Sequence, residues 1–487
     1  MIEKDLLRRT INLPTATSMV IGGVIGSGIF IRPAEMAALL GSPFVIFFIW
    51  VVAGLLNLLS AMVTAEIGAM FPETGGQYVF IRKIYGDFWA FIYGWAAFSV
   101  INTAGTAAVA FICAEYLQYF FVLPRFAPEI EQTISIHLPF VGSIFPLENF
   151  GLKMLTIAIL GLFTWTSYRS TKLGGSIQLL STILKLAAIA FLILGLFFSG
   201  AGSLSNFTLS SAHIAPEGYA MVAAMVAACT GAFQAYDGWG VMVNVAGEIR
   251  QPQKNIPNGL IFGLLTCMFI YIAVTASIVY ILPVDAMAHS TLVAADAAKK
   301  AFGFAGGGLV AIMIVLSVFG TTNANVMGPP RMTFAMAHEG HFFRIAGRIH
   351  PAFKTPGNAL VIHFIWMGLF VLSGSFFMLA DMSVFIVWSI NLMILFGIFV
   401  LRRKMPGAPR PYKMGGYPWL PLIVLLFNLF YLGFTLYSDI HNYLVGKTVL
   451  MNSVLGLIIS ALGIPFYFYF RRTYKNSDLA GGKEPIH

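Results

Sequence analysis

Apolar residues run along this chain in blocks of about 20, the length a helix needs to cross a hydrocarbon core of roughly 30 Å. The blocks predict helical spans at roughly 14–39, 43–66, 88–122, 151–167, 174–198, 219–247, 258–282, 306–335, 358–374, 381–401, 418–438 and 450–470. Two of them, the first and the sixth, are interrupted midway by glycine and polar residues. The first contains IGGVIGSGIFIRP (Ile21 to Pro33) and the sixth CTGAFQAYDGWG (Cys229 to Gly240). Breaks at corresponding places in two successive groups of five spans indicate an inverted repeat with a ligand site at its interface. The expected fold is therefore an all-α integral membrane protein of twelve transmembrane helices, with a five-plus-five inverted-repeat core and broken helices 1 and 6.

The connections carry no separate soluble domain. The expected organisation is an N-terminal segment (1–13), a ten-span core (14–401), two further helices with their preceding loop (402–470) and a C-terminal tail (471–487). The longest external connection, about 124–150, holds Pro124, Pro128, Pro139 and Pro146 and reads as an irregular loop. Segment 284–304, with Asp285, Asp296, Lys299 and Lys300, has helical composition but too few apolar residues to span. It is expected to lie over the external face as a short hairpin, a candidate lid.

Composition agrees, with 58% hydrophobic and 10% charged residues against roughly a quarter charged in soluble domains. The net charge of +9 is sorted by side. One set of alternate connections holds Lys4, Arg8, Arg9, Arg82, Lys83, Arg169, Lys172, Arg250, Lys254, Arg331, Arg344, Arg348, Lys354, Arg402, Arg403, Lys404, Arg410, Lys413, Arg471, Arg472, Lys475 and Lys483. The other holds only Arg125, Lys153, Lys299, Lys300 and Lys447. The positive-inside rule makes the first side cytoplasmic and places both termini there, in a cell (plasma) inner membrane. Basic charge thus reports topology, and no nucleic acid partner is needed to explain it. Cys113, Cys229 and Cys267 all fall inside spans, so no disulfide framework is indicated. No small-residue cleavage site follows the first apolar run, so the first span is expected to be retained.

The breaks carry the chemistry. Unwinding a helix in hydrocarbon leaves backbone groups without partners, at several kcal/mol each. A free amino acid meets that need: its carboxylate accepts from amides at the start of one half-helix, and its ammonium donates to carbonyls at the end of another. Candidate contacts are Gly26, Ser27, Gly28 and Ile29 in the first break, and the polar run of the second, which is expected to extend from Gly231 to Gly238, with Gln234, Tyr236 and Asp237 around the substrate's side chain. The alternatives are tight packing through the Gly22/Gly26 pair, aromatic packing for Tyr236 and Trp239, and helix capping for Asp237. An intramembrane carboxylate such as Asp237 is by default a functional candidate. Arg32, just after the first break, and Glu115, near the end of the third span, read as groups snorkelling or solvated at the external mouth.

Several separated motifs resemble the amino acid, polyamine and organocation superfamily, nearest its L-type amino acid transporter branch and bacterial members. These are GSGIF at 26–30; Glu66 with FPETGGQY at 71–78; AYDGW at 235–239 with Gly247-Glu248 and Asn255-Ile256-Pro257; Arg331 with AMAHEG at 335–340; and RPYKMGGYPWLP at 410–421. The resemblance implies the five-plus-five core, substrate contacts by Val24, Ile25, Gly26, Ser27 and Gly28 and by the backbone of Phe233, Gln234, Ala235, Tyr236, Asp237 and Gly238, and a role for Lys185 in STILKLAAIA (181–190). By that resemblance the lysine, about eleven residues into its span, is expected to be a built-in cation standing in for the sodium of other members of the fold. The alternatives are a lysine satisfied by backbone carbonyls and a proton-coupling group. Two departures stand out. Gln234 occupies the place of the family's usual aromatic gate, so either Phe233 takes that role or occlusion uses a polar group. Residues 123–150 contain no cysteine, so the covalent accessory subunit of eukaryotic members is not expected.

The expected function is sodium-independent exchange of small or medium neutral amino acids by alternating access. Proton-coupled symport and transport of cationic amino acids selected by Asp237 are the alternatives. An enzyme would need a catalytic or metal-ligating set within the spans. His338, His341 and His350 lie in a connection, and no cofactor or metal is expected. Channels would more naturally show a repeated polar filter or charged ring.

Overall fold

The computed structural model describes residues 9–26, 28–73, 75–169, 183–208 and 216–479, with side chains to 473. Nine helices among them are long and apolar enough to cross a membrane, and a tenth span results if the bent pair Leu13–Val24 and Gly28–Leu40 is counted as one. Shorter apolar helices, Ile183–Phe198 and Gly357–Ser373, stand where the fifth and ninth spans are expected. Residues 174–182 of the expected fifth span lie outside the described residues. Large apolar side chains such as Phe44, Phe269 and Trp419 are at least 70% exposed, as surfaces that meet lipid tails must be.

Chain contacts divide the protein into two interleaved compact units. The first comprises Met1–Ala90, Ser203–His289 and Trp388–Phe434 and holds both breaks. Asn12 caps the opening helix through Oδ1, which accepts from Thr15 N at 3.1 Å, and Pro14 sits in the first turn, where its missing N–H costs nothing. The same helix packs along Pro252–Ile281, whose Gly259 and Gly263 face Ala16 and Val20. Before it, Ile11 pairs with the backbone following the sixth span: its N donates to Glu248 O at 3.1 Å, and Arg250 N donates back to Ile11 O at 2.8 Å. The seventh helix begins at Pro252, six residues before the expected 258, because Pro252 at its first position starts the helix despite Pro257 inside it.

The second span, Pro43–Met70, ends in a buried ionic knot within the same unit. Glu66, 1% exposed, accepts from Arg402 Nε at 3.0 Å and Nη2 at 2.7 Å, and from Met414 N at 2.7 Å. Arg402 lies over the Tyr417 ring at 3.7 Å.

The second unit comprises Phe91–Gly202, Ser290–Val387 and Thr435–His487. Its third span carries a π-helical turn at Ala97–Ile101. Carbonyls around the turn are met by side chains: Thr103 Oγ1 donates to Phe98 O at 3.0 Å, Trp366 Nε1 to Ser99 O at 2.8 Å and Ser383 Oγ to Ile101 O at 3.0 Å. The 124–150 connection is more ordered than proline content suggested, with a helical turn at Pro128–Thr133 and an antiparallel pair, Ile136–Leu138 with Gly142–Ile144. Arg125 and Glu131 clamp it, Nη2 to Oε2 at 2.8 Å. The helical turn Val284–Ala288 belongs to the first unit; in the second the helix from Val293 is kinked by Gly303, at φ 74°, before the eighth span proper.

Candidate functional site

The first span is broken as expected. Leu13–Val24 ends at Ile25, which is extended at φ −68°, ψ 97°, and Gly28 opens the second half-helix at a 48° bend. Ser27 lies outside the described residues. Among the described residues, a methyl built on Gly22 meets nothing within 4 Å and one on Gly26 meets only its neighbour Val24 O at 3.8 Å, so the close packing of the Gly22/Gly26 alternative is not seen there.

The sixth-span break is shorter than expected. Gly218–Tyr236 stays helical through Gly231, Phe233, Gln234 and Ala235, and the interruption is confined to 237–239. Glycine alone did not unwind the segment, because Phe233 and Tyr236 are anchored by aromatic packing on the helical side. The chain turns at Asp237, extended at ψ 156°, and at Gly238, whose φ of 110° favours glycine. A short helix, Gly240–Asn244, follows.

The two breaks meet each other. A methyl on Gly23 would lie 2.7 Å from Gly238 O, one on Gly238 would overlap Gly23 O, and one on Gly28 would lie 3.0 Å from Ala235 Cα. These glycines are needed because backbone passes backbone there. Tyr271, from the seventh span, ties the crossing. Its buried hydroxyl lies 2.9 Å from Val24 O and 2.6 Å from Ala235 O, and Gly26 N–H bonds the same oxygen. One phenol thus joins the end of the first half-helix to the last turn of the sixth-span helix. No signal in the apolar run FIYIAV marked it.

The remaining candidates divide into packed and accessible groups. Ile25 and Ile29 are fully buried. Phe233 is buried, its ring stacked on Trp388 at 3.9 Å and edge-on to Tyr431 at 5.1 Å. Tyr236 Oη donates to Trp50 O at 3.1 Å among the Trp50 and Tyr271 rings. Trp239 is buried, with Nε1 3.4 Å from Asn57 Oδ1. Asp237 is exposed, and its carboxylate bonds the next backbone N–H, that of Gly238. Glu115 is half-buried.

Arg32 overturns the snorkelling reading. It is 0% exposed, with Nε donating to Gln234 Oε1 at 2.9 Å and Nη1 to Glu35 Oε2 at 2.5 Å. A guanidinium with partners on its own and the facing helix has no need to reach water. The Arg32/Glu35 spacing of three residues along one helix face was the available signal.

Lys185 is 2% exposed on Ile183–Phe198, in the second unit. Residues 170–182, from which its depth was counted, lie outside the described residues.

Comparison with known proteins places these features in a family. The chain is 29% identical over 473 residues to the serine/threonine exchanger SteT of Bacillus subtilis, covering 96% of this chain and 98% of that protein. It is 30% identical over 469 residues to the human large neutral amino acids transporter small subunit 2, covering 95% of this chain and 80% of that one. Against the mouse Asc-type amino acid transporter 1 the figure is 26% over 467 residues, covering 96% and 82%. The family model for amino acid permeases matches residues 11–460. A multi-pass helical chain whose first and sixth spans break where they touch, matched over nearly its whole length, belongs to the amino acid permease family.

Proposed function

We propose that this protein is a sodium-independent exchanger of small or medium neutral amino acids, working by alternating access. The observation that carries the reading is the crossing at Gly23 and Gly238, where three helix ends converge. Leu13–Val24 and Gly218–Tyr236 bring carbonyl ends, partially negative, while Gly28–Leu40 brings an amino end, partially positive. A zwitterion matches that polarity, its ammonium toward the carbonyl ends and its carboxylate toward the amides opening at Gly28. No covalent step is involved, and the protein acts as a secondary transporter rather than an enzyme.

The halves are also tied in pairs. The first half-helix joins the backbone after the sixth-span break through Ile11, Glu248 and Arg250. The second joins Gly218–Tyr236 through Gly28 against Ala235 and through Arg32 to Gln234. Rocking of one pair against the other about the glycine crossing would open the site alternately to each side. Lys185 takes the place of a coupling cation, which removes the need for sodium. The names of the relatives favour neutral side chains. The exposed Asp237 favours a second reading, cationic substrates; Asp237→Asn then removes cationic transport more than neutral transport, whereas equal losses leave Asp237 a turn-stabilising residue.

The chain is placed in the cell inner membrane with both termini cytoplasmic, on the distribution of Lys and Arg. It works without a disulfide-linked partner, since its only cysteines, Cys113, Cys229 and Cys267, are buried. The test is uptake of labelled amino acids into proteoliposomes preloaded with different unlabelled ones, with sodium and the pH gradient varied independently. Uptake that requires a preloaded amino acid and ignores both ions supports exchange. Uptake into empty vesicles driven by an inward proton or sodium gradient contradicts it.

A further inference from the structure

A buried guanidinium in a membrane protein is costly and marks a position with a task, and the crossing itself does not use Arg32. Space for it comes from Gly231, where a methyl would lie 2.9 Å from Glu35 Oε2 and 3.0 Å from Arg32 Cδ. Guanidinium has five donors and no acceptor, so the atom of Gln234 that faces Arg32 Nε must be the carboxamide oxygen. That oxygen keeps a second lone pair, but the bond from Arg32 fixes the orientation of the carboxamide, so the side chain turns its NH2, a pair of donors, away from the guanidinium. Phe233 and Ala235 on either side are buried, while Gln234 remains half-buried and so has a free aspect. It also stands next to Ala235, which borders Gly28 at the carboxylate-binding end of the second half-helix.

We propose that Gln234 is a specificity-determining residue whose NH2, oriented by Arg32, donates to an oxygen on the substrate's side chain. The preferred substrates are neutral amino acids bearing a hydroxyl or carboxamide, chosen over apolar ones of the same shape. Arg32 is a positioning residue, held in turn by Glu35. This inference rests on the exchange reading above and narrows its substrate class. A site that donates to a substrate oxygen leaves that donor unsatisfied when an apolar isostere binds, and discrimination follows from that loss.

Threonine and valine, which differ by a hydroxyl in place of a methyl, are the direct probe. Exchange of labelled threonine and labelled valine is measured as kcat/KM in the same proteoliposomes, for the wild type, Gln234→Met, Arg32→Gln and the double variant. The wild type prefers threonine to valine and asparagine to leucine. Gln234→Met lowers the threonine-to-valine ratio by about tenfold, Arg32→Gln lowers it comparably, and the double variant falls no further because both act through one contact. Each ratio is taken on one preparation and is insensitive to how much protein has folded. If the variants fail to insert, the wild-type preference alone decides: valine equal to or above threonine overturns the proposal. An unchanged ratio in Gln234→Met, or losses that multiply in the double variant, overturns it while leaving exchange standing. Failure of the wild type to exchange any of the four overturns both.

Discussion

Gly23 and Gly238 touch backbone to backbone: a methyl on Gly23 would come within 2.7 Å of Gly238 O, and one on Gly238 would overlap Gly23 O in return. The contact joins the last turn of Leu13–Val24 to the break after Gly218–Tyr236. Neither glycine tolerates a side chain without moving a helix end. Because misplacing a binding group by about 1 Å costs on the order of a hundredfold in rate, Gly23→Ala and Gly238→Ala are each expected to lower exchange by about that factor. Gly22→Ala, where a methyl meets nothing within 4 Å, is expected to stay near wild type. Uptake normalised to inserted protein checks both; a loss in Gly22→Ala equal to that in Gly23→Ala would contradict the crossing.

Tyr271→Phe keeps the ring against Trp50 and Tyr236, at 5.2 and 5.0 Å, and removes only the hydroxyl shared by Val24 O and Ala235 O. Leaving a buried carbonyl unmet costs about 1–3 kcal/mol. Turnover should fall by about tenfold or more, with insertion retained and the melting temperature lowered by no more than that cost. A variant that loses stability instead of turnover would make Tyr271 a packing residue.

Legibility in the sequence followed the length of the signal. Long apolar blocks and sorted charge gave the spans, and GSGIF located the first break because four glycines, Gly22, Gly23, Gly26 and Gly28, fall within seven residues of an otherwise apolar run. The sixth break was read too early, at Gly231, because glycine within a helix signals either unwinding or close packing. Here Gly231 makes room for Arg32 and Glu35, and unwinding starts only at Asp237. Tyr271 was invisible because its hydroxyl matters through two carbonyls far away in sequence. Arg32 was misassigned because its partner Gln234 lies 202 residues on, and pairing at that range is a property of the fold.

Lys185→Ala is expected to reduce exchange to background while membrane insertion persists, if its ammonium substitutes for a coupling ion as proposed. Addition of sodium to the variant is the informative comparison: partial recovery supports the substitution directly, and kinetics identical to wild type would remove Lys185 from the mechanism.

The knot at Glu66 predicts stability rather than activity. Removing one member of a buried ion pair strands the other, at about 3–5 kcal/mol. Glu66 also pairs with Arg410, Nε to Oε1 at 3.6 Å, so Glu66→Ala is expected to lower the melting temperature in detergent more than the joint replacement Glu66→Ala with Arg402→Met and Arg410→Met. The reverse order would show that the three do not act as a unit.

The Arg125–Glu131 clamp carries a pH dependence. Arg125, hydrogen-bonded to Glu131, and then Asn149 N–H hold the Glu131 carboxyl below the ordinary carboxylate range. A depressed carboxyl contributes stability that is fully present above its unfolded pKa and is lost as pH falls through the folded value. Protease cleavage within 124–150 should thus be slow at neutral pH and accelerate only on acidification below the normal range for Glu. Glu131→Gln should cleave readily at neutral pH, with no further acid effect.

Recognition of both ends of a free amino acid by the two breaks is tested most directly by competition. Exchange of labelled threonine is measured against unlabelled threonine, its methyl ester and its N-acetyl derivative. If the helix ends at Val24, Gly28 and Tyr236 bind carboxylate and ammonium, only the unmodified amino acid competes. Equal inhibition by either blocked derivative would contradict that claim.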